Sequence, residues 1–430
     1  MKTVFLVDNI PAIEMFAPII RELPDRWEVL VINLEGWTRR ETAQVEKALQ
    51  EMGFNYKTVE GRSRRNVERL LEEEAPGVVV LSRDTTTPLE QLFIGCANSM
   101  RIPTLLVPHG MWTPQARGNW NLRAARAWLR HLYRLAFQGL RVARIGGFSW
   151  GRLIHTGLFR LRRDLKRRPM LDGHGGCSKI AVLGNAMKEL LISEGVGPEH
   201  IEVTGNPKFD SLYHAKEDDC KSRLCEAWKL LGDHNIILLL TGYFVESGTW
   251  TVGQRKEFVM AIANAVAKLP RSKLVIKIHP VMESEADYLE ITGDLPEPPI
   301  VCGDVSLPEL LSACSLAITV GSTAGLEAMA MGKPLLVVDF FNNVTPFDEA
   351  SGAIVVRNRG DLAPVLEAVI CRGLSQETKD TVNNYVYHQA YVQDGKAAKR
   401  IADLVVRMTQ EAEYPEWKLE LPLTGSSLQH

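Results

Sequence analysis

The stretch Thr319-Val320-Gly321-Ser322-Thr323-Ala324-Gly325-Leu326-Glu327-Ala328, running on to Gly332-Lys333-Pro334, decides how this chain is read. An apolar run, Leu316–Val320, gives way to a turn of small residues, and a helix starts at Ser322 or Thr323. The N–H groups at such a helix start lack intrahelical acceptors and make a ready site for an anion. Ala324, Leu326, Ala328, Met329 and Ala330 make this helix apolar almost all round. Glu327, one turn in, therefore needs a partner, because a carboxylate inside an apolar helix is costly. It is placed to accept hydrogen bonds from a ribose; the alternative is a solvated helical glutamate.

Outward from this block, short apolar runs alternate with helical patterns, which predicts parallel βαβ units. Val4–Val7, Glu28–Asn33, Tyr56–Val59, Gly77–Ser82, Pro103–Pro108, Lys179–Leu183 and Ile201–Thr204 read as strands of a first half. Asn235–Leu240, Lys273–Ile278, Ile300–Cys302, Leu316–Val320, Pro334–Val338 and Ile354–Val356 read as strands of a second, which opens on a helix over Lys216–Leu231. Gly205-Asn206-Pro207 ends a strand and turns the chain, so it marks the boundary. A length of 430 residues suits two α/β domains of about 200 residues each. The expected division is 1–205 and 206–376, with a helical tail over 377–430 that crosses back to the first domain.

Hydrophobic residues make up 45% of the chain and charged residues 24%, a soluble globular composition, and a net charge of −2 gives no global attraction for a polyanion. No window approaches the roughly 18 apolar residues that span a bilayer. Met1–Val7 reads as a buried first strand, and the expectation is a cytoplasmic protein. The cysteines, Cys96, Cys177, Cys220, Cys225, Cys302, Cys314 and Cys371, are scattered without a CxxC pair. That suggests neither a disulfide framework nor a zinc site and fits a reducing compartment.

One segment breaks the rhythm. Residues 117–170 carry fourteen Lys or Arg against the single acid Asp164, interleaved with Trp120, Trp128, Phe137, Phe148, Trp150 and Phe159. Cations for anionic headgroups and rings for the acyl boundary are what an interfacial segment needs, so 117–168 is expected to meet a membrane surface. An amphipathic helical pair with a solvated arginine face is the competing reading. Nucleic acid is the least favoured of the three, although arginines and aromatics also serve phosphates and bases.

Ligands of open parallel sheets bind outside the carboxyl ends of the strands, and the polar residues there are the candidates. Thr241 and Gly242 follow one strand, offering a hydroxyl and a close backbone approach to a pyrophosphate, or only a tight turn. Lys277 and His279 share one face of another strand and suggest phosphate binding, against a hydrogen-bonded core histidine. Gly321, Ser322, Thr323 and Glu327 form the block already described, and Asp339 binds a sugar or caps a turn. In the first half, His109 follows a strand and can be a turn histidine bonded to backbone. Asp8 and Asp84 are further catalytic candidates that can equally cap the following helices. Glu217-Asp218-Asp219 reads as solvated surface, and no metal-ligand cluster stands out.

These residues carry a family resemblance. The second half resembles the nucleotide-binding domain of GT-B enzymes over about 170 residues. It is similar to the group that holds non-hydrolysing UDP-N-acetylglucosamine 2-epimerases, CDP-glycerol glycerophosphotransferases and capsule-polysaccharide transferases. "GSTAGLEAMAMGKPLLVVDF" looks like their nucleotide-sugar segment, "VTGNPKFDSL" (Val203–Leu212) like their interdomain signature, and "KIHP" like the His-Pro of the transferases. The resemblance implies diphosphate contacts from Thr241, Gly242, Ser322 and Thr323, His279 beside the diphosphate or base, and Glu327 on the ribose. "NIPAIEMFAPIIREL" looks like the epimerases' opening helix, but Val7-Asp8-Asn9 replaces the Gly-Thr-Arg expected before it, and their acidic catalytic cluster is not apparent. Both departures point away from epimerisation. Val107-Pro108-His109-Gly110 looks like the His-Gly of the glycerophosphotransferase and capsule groups, a resemblance that implies His109 facing the interdomain cleft as general base for an acceptor hydroxyl.

The expectation is a GT-B enzyme: two Rossmann-like domains facing a cleft, with the basic aromatic insertion in the first. It would transfer a sugar from a nucleotide-sugar donor, UDP- or CDP-linked, to a membrane-associated or lipid-linked glycan acceptor, at the inner face of the cytoplasmic membrane. Neither cofactor nor metal is expected, because helix N–H groups, hydroxyls and a cationic histidine can stabilise the departing nucleoside diphosphate. The alternatives are a CDP-glycerol-type glycerophosphotransferase, a UDP-sugar 2-epimerase or hydrolase, and a nucleotide-binding sensor without turnover.

Overall fold

A computed structural model describes residues 1–34, 39–59, 63–84, 88–110, 172–215, 219–279 and 283–413. The 117–170 insertion, Thr85-Thr86-Thr87, Pro280 and the chain beyond 413 lie outside the described residues. Two compact units are present. One comprises the chain to Pro207 together with the segment from Lys396, apart from a short stretch at 111–115, and the other runs from Lys208 to Gly395.

The first unit is built on a seven-stranded parallel sheet: β1 (Lys2–Val7), β2 (Glu28–Asn33), β3 (Tyr56–Thr58), β4 (Val78–Leu81), β5 (Thr104–Leu106), β6 (Lys179–Val182) and β7 (Ile201–Val203), in the order β3-β2-β1-β4-β5-β6-β7. Its apolar runs are continuous because both faces are covered, as parallel sheets require. Phe5, Val31, Val78 and Val80 pack against Ala12, Ile13 and Phe16 of the helix Ile10–Arg21 and Ile401, Leu404 and Val405 of the helix Ala397–Glu413, all buried.

The second unit holds a six-stranded parallel sheet: β8 (Asn235–Leu240), β9 (Ser272–Lys277), β10 (Ile300–Cys302), β11 (Leu316–Thr319), β12 (Leu335–Val338) and β13 (Ile354–Val356), in the order β10-β9-β8-β11-β12-β13. Chain order reverses between β8 and β11, and at such a switch point the connecting loops diverge and leave a crevice at the carboxyl edge. Phe258, Val259 and Ile262 of the helix Val252–Val266 and Leu362 and Leu366 of the helix Arg359–Arg372 belong to its core, with Ile237, Leu239, Ile276 and Ile318 of the strands.

Two expectations are corrected. The helix predicted from Lys216 is the shorter Cys220–Ala227, and a separate helix, Pro207–Ala215, precedes it. Pro207 is its first residue, where a missing N–H and a fixed φ cost nothing, so the proline opens a helix. The long tail is two helices, Gln376–Ala390 in the second unit and Ala397–Glu413 in the first. Tyr391 and Gly395 break them apart at φ 61° and 69°, left-handed values that no helix interior holds.

Candidate functional site

The carboxyl edge of the second sheet gathers polar residues at its switch point. Thr319, the last residue of β11, is fully buried, donates its hydroxyl to the Leu240 carbonyl of β8 at 3.2 Å and accepts the Ser322 N–H at 3.0 Å. One threonine thus ties the two strands across the reversal and sets the Gly321-Ser322 turn. A Cβ on Gly321 would lie 3.3 Å from the Val344 carbonyl oxygen, so the loop after β12 also approaches this turn closely. The helix Ala324–Ala330 starts directly beyond, with Thr323 exposed at its cap.

Glu327 is 6% exposed, and Lys208 reaches its Oε1 at 3.2 Å. The apolar helix therefore does bury its carboxylate. The cation that meets it comes from the start of the unit, 119 residues earlier, a partner that local pattern could not supply.

The expected phosphate ligand Lys277 is placed differently. Its ammonium donates to the carbonyls of Gly303 at 2.6 Å and Val305 at 2.7 Å, closing the loop after β10. Lys333 is used in the same way on Ser312 and Cys314, at 2.9 Å each. Strand alternation gives the face on which a lysine lies, not the carbonyls its long stem can reach. Asp339 is a turn cap, because its Oδ1 accepts both the main-chain and the side-chain N–H of Asn343 at 2.8 Å. Asn343 in turn accepts the Trp250 indole N–H at 2.8 Å. Trp250 stacks on Phe244, with ring centroids 4.7 Å apart, and so joins the loops after β8 and β12.

Thr241 and His279 are brought together by Glu283, which sequence reasoning missed. The Glu283 carboxylate accepts the Thr241 hydroxyl, the His279 main-chain N–H at 2.8 Å and the Tyr288 hydroxyl. Tyr288 is 2% exposed, and its burial, with the neighbouring carboxylate, holds the phenol above its usual range, so it stays a donor. Tyr288 also lies under Arg255, 5.4 Å from guanidinium carbon to ring centroid. Arg255 pairs with Glu246 at 2.7 Å and Asp287 at 2.9 Å. Tyr243, exposed, meets the His279 ring edge-on at 5.1 Å. A Cβ on Gly242 would fall 2.8 Å from the Phe244 ring, so the turn after β8 is tight around glycine.

In the first unit, Asp8 accepts the Asn9 side-chain N–H at 2.6 Å, with Arg83 at 3.9 Å. Asn9 caps the helix Ile10–Arg21 by accepting the Ala12 N–H at 2.9 Å. His109, half-buried, follows β5 beside Pro108, whose carbonyl accepts the buried Asn206 amide at 3.2 Å. Asp84 is corrected as a catalytic candidate. It is fully buried, and its two oxygens accept the Gly173 and Gly175 N–H groups at 2.7 Å each, pinning the loop that leads to β6. Burial and the neighbouring Asp172 carboxylate push the Asp84 carboxyl up to about 7. Among the described residues no group of three or more His, Cys, Asp or Glu converges as a metal site, and no helix is long and apolar enough to cross a membrane.

Two parallel α/β units, the second with a polar switch-point edge, give the chain a GT-B fold, and comparison with known proteins gives the family. The family model described as UDP-N-acetylglucosamine 2-epimerase matches residues 178–406, and the chain belongs to that family. No curated protein matches the sequence. Among solved structures, UDP-GlcNAc 2-epimerase from Neisseria meningitidis bound to UDP-GlcNAc is similar, with a TM-score of 0.58 at 17% identity, covering 95% of this chain and 100% of that one. A Staphylococcus aureus MnaA–UDP structure gives 0.58 at 16%, with full coverage of both chains. The wall teichoic acid polymerase TagF gives 0.58 at 12%, covering 96% of this chain and 90% of that one. At these identities the structures share the fold.

Proposed function

We propose that the second unit binds the nucleoside diphosphate of an activated sugar, with UDP-N-acetylhexosamines as first candidates, and that the enzyme breaks the bond between the anomeric carbon and the diphosphate. The observation that carries this reading is the buried Glu327, one turn into a helix that opens at the switch point, with Lys208 as its cation. Ribose hydroxyls are donors, and a preformed carboxylate is a matching acceptor. The departing diphosphate is met by the Ser322-Thr323 turn, the helix start and His279. Fixed donors of this kind, aimed at developing charge, are a main source of rate enhancement.

Family membership favours 2-epimerisation, or hydrolysis, as the fate of the sugar. Transfer to an acceptor hydroxyl is a second reading, favoured by Val7-Asp8-Asn9 in place of Gly-Thr-Arg and by His109 after β5. In that reading the 117–168 segment brings the enzyme to a lipid-linked acceptor at the inner face of the membrane.

The test is UDP-N-acetylglucosamine incubated with the protein alone and followed by proton NMR. An epimer or free UDP without acceptor supports the first reading. Binding without turnover, lost in Glu327→Ala, excludes the first reading, and release of UDP once a glycan acceptor is added then separates transfer from a nucleotide sensor. A protein that binds none of UDP, CDP, GDP or dTDP is not a nucleotide-sugar enzyme.

A further inference from the structure

We infer that Glu283 is the positioning residue of the diphosphate site, fixing the strand ends of β8 and β9 so that the Gly242-Tyr243 turn and the His279 ring face the ligand. The inference rests on the reading above and deepens it. Three donors from three separate elements converge on this carboxylate: the Thr241 hydroxyl after β8, the His279 main-chain N–H after β9, and the Tyr288 hydroxyl on the helix Glu285–Thr292.

The arrangement revises the part played by Thr241. Its single hydroxyl proton is directed at Glu283, with the Lys277 carbonyl at 3.1 Å as a second acceptor. A hydroxyl has one proton to donate, so Thr241 acts as a strut between strand ends and not as a phosphate ligand. Glu283 holds His279 by its backbone, and the imidazole meets the Tyr243 ring edge-on. Behind Glu283, Tyr288 and Arg255 form a buried chain that reaches Glu246 in the loop after β8 and Asp287, beside Tyr288 on the same helix. Glu283 is thus fixed from the core side. Its oxygens accept hydrogen bonds from neutral O–H and N–H groups, and none of these donors is a charged side chain.

The experiment is calorimetric titration of the full chain with UDP and with UMP, for wild type, Glu283→Ala, Glu283→Gln, His279→Ala and the Glu283→Ala/His279→Ala pair. Glu283→Ala is expected to weaken UDP about tenfold, an effect equal to roughly 1.4 kcal/mol, with a smaller loss for UMP. Glu283→Gln keeps an acceptor for Thr241 and His279 and is expected to restore binding to within about threefold of wild type. In the His279→Ala background Glu283→Ala is expected to add less than about twofold, because the two residues act as a unit.

A Glu283→Ala protein that binds UDP like wild type overturns the inference, as does a loss that persists undiminished without His279, since a merely structural role weakens both backgrounds alike. Should Glu283→Ala fail to fold, the same coupling is read from Glu283→Asp, whose shorter side chain draws the carboxylate back from the Thr241 and His279 donors; additivity with His279→Ala overturns and non-additivity supports. A wild-type protein that binds no nucleotide removes the functional reading and this inference with it. Binding that is indifferent to Glu283 removes the inference alone.

Discussion

Replacing Gly325 with alanine would put a methyl carbon 2.7 Å from one ring carbon of Phe347, 2.9 Å from another and 3.1 Å from a Leu335 methyl. Carbon contacts settle at about 3.5–4.0 Å, so the ring must retreat by roughly 0.8 Å. It has little room, because Phe347 is fully buried and lies against Tyr385, whose hydroxyl donates to the Pro346 carbonyl at 3.0 Å. Overpacking of this kind costs about 1–3 kcal/mol, and alanine in a helix returns about 1 kcal/mol over glycine. The expected net loss is about 1 kcal/mol, which for a unit of this size lowers its Tm by roughly 2–4 °C. Phe347 lies just beyond Val344, whose carbonyl approaches Gly321, so the displacement reaches the Ser322-Thr323 turn and UDP affinity falls as well. The control is Gly360→Ala in the helix Arg359–Arg372, where a Cβ meets nothing within 4 Å. That variant is expected to gain up to about 1 kcal/mol. Thermal denaturation of both, with calorimetric titration of UDP, decides the matter. A Gly325→Ala protein as stable as Gly360→Ala means that the ring yields freely, and the close-packing argument fails.

Trp250→Phe keeps the stack on Phe244 but leaves Asn343 without the indole donor, and is expected to cost about 1–2 kcal/mol in urea unfolding; a change under about 0.5 kcal/mol would show that the two loops are not tied through this bond. Asp84 has a folded pKa raised from 3.8 to about 7. The stability it contributes is therefore complete below its unfolded pKa and lost as pH rises through the folded value. Tm measured across pH should show wild type losing stability relative to Asp84→Asn between about pH 4 and about pH 7, and parallel curves would refute the shift.

Much of the scaffold was legible because parallel strands covered on both faces must be continuously apolar. Asn235–Leu240, Leu316–Thr319 and Leu335–Val338 are such runs, and the strand that ends at Thr319 leads into a small-residue turn and a helix. Glu327 was legible for the same reason: a carboxylate in an apolar helix is conspicuous. Glu283, Tyr288 and Arg255 were not, because their meaning lies in contacts across 42 residues to Thr241 and 32 to Asp287. Nothing in the pattern around Glu283 separates it from Glu285 or Glu290 nearby. Lys277 was misread because a cation at a strand end looks the same in sequence whether it faces a phosphate or a carbonyl. Pro207 was taken as a stop because its lack of an N–H is equally suited to ending a strand and opening a helix.

The charge distribution at the edge of the second sheet follows from these placements. The lysine that ends β9, Lys277, is committed to backbone carbonyls, while Lys333, before β12, ties the amino edge of the sheet. Two carboxylates, Glu283 and Asp339, are committed to backbone and neutral side-chain donors in the loops. Each carboxylate holds a loop in place, and neither is paired with a lysine that would otherwise be available to a ligand. In the proposed reading a diphosphate meets a helix start, the Ser322 and Thr323 hydroxyls and His279, with Lys208 held beside Glu327. In that reading the site stabilises charge mainly through dipoles already oriented by the fold. Its strength would then depend on how rigidly the loops are held, and the carboxylates that hold them would matter to binding without touching the ligand.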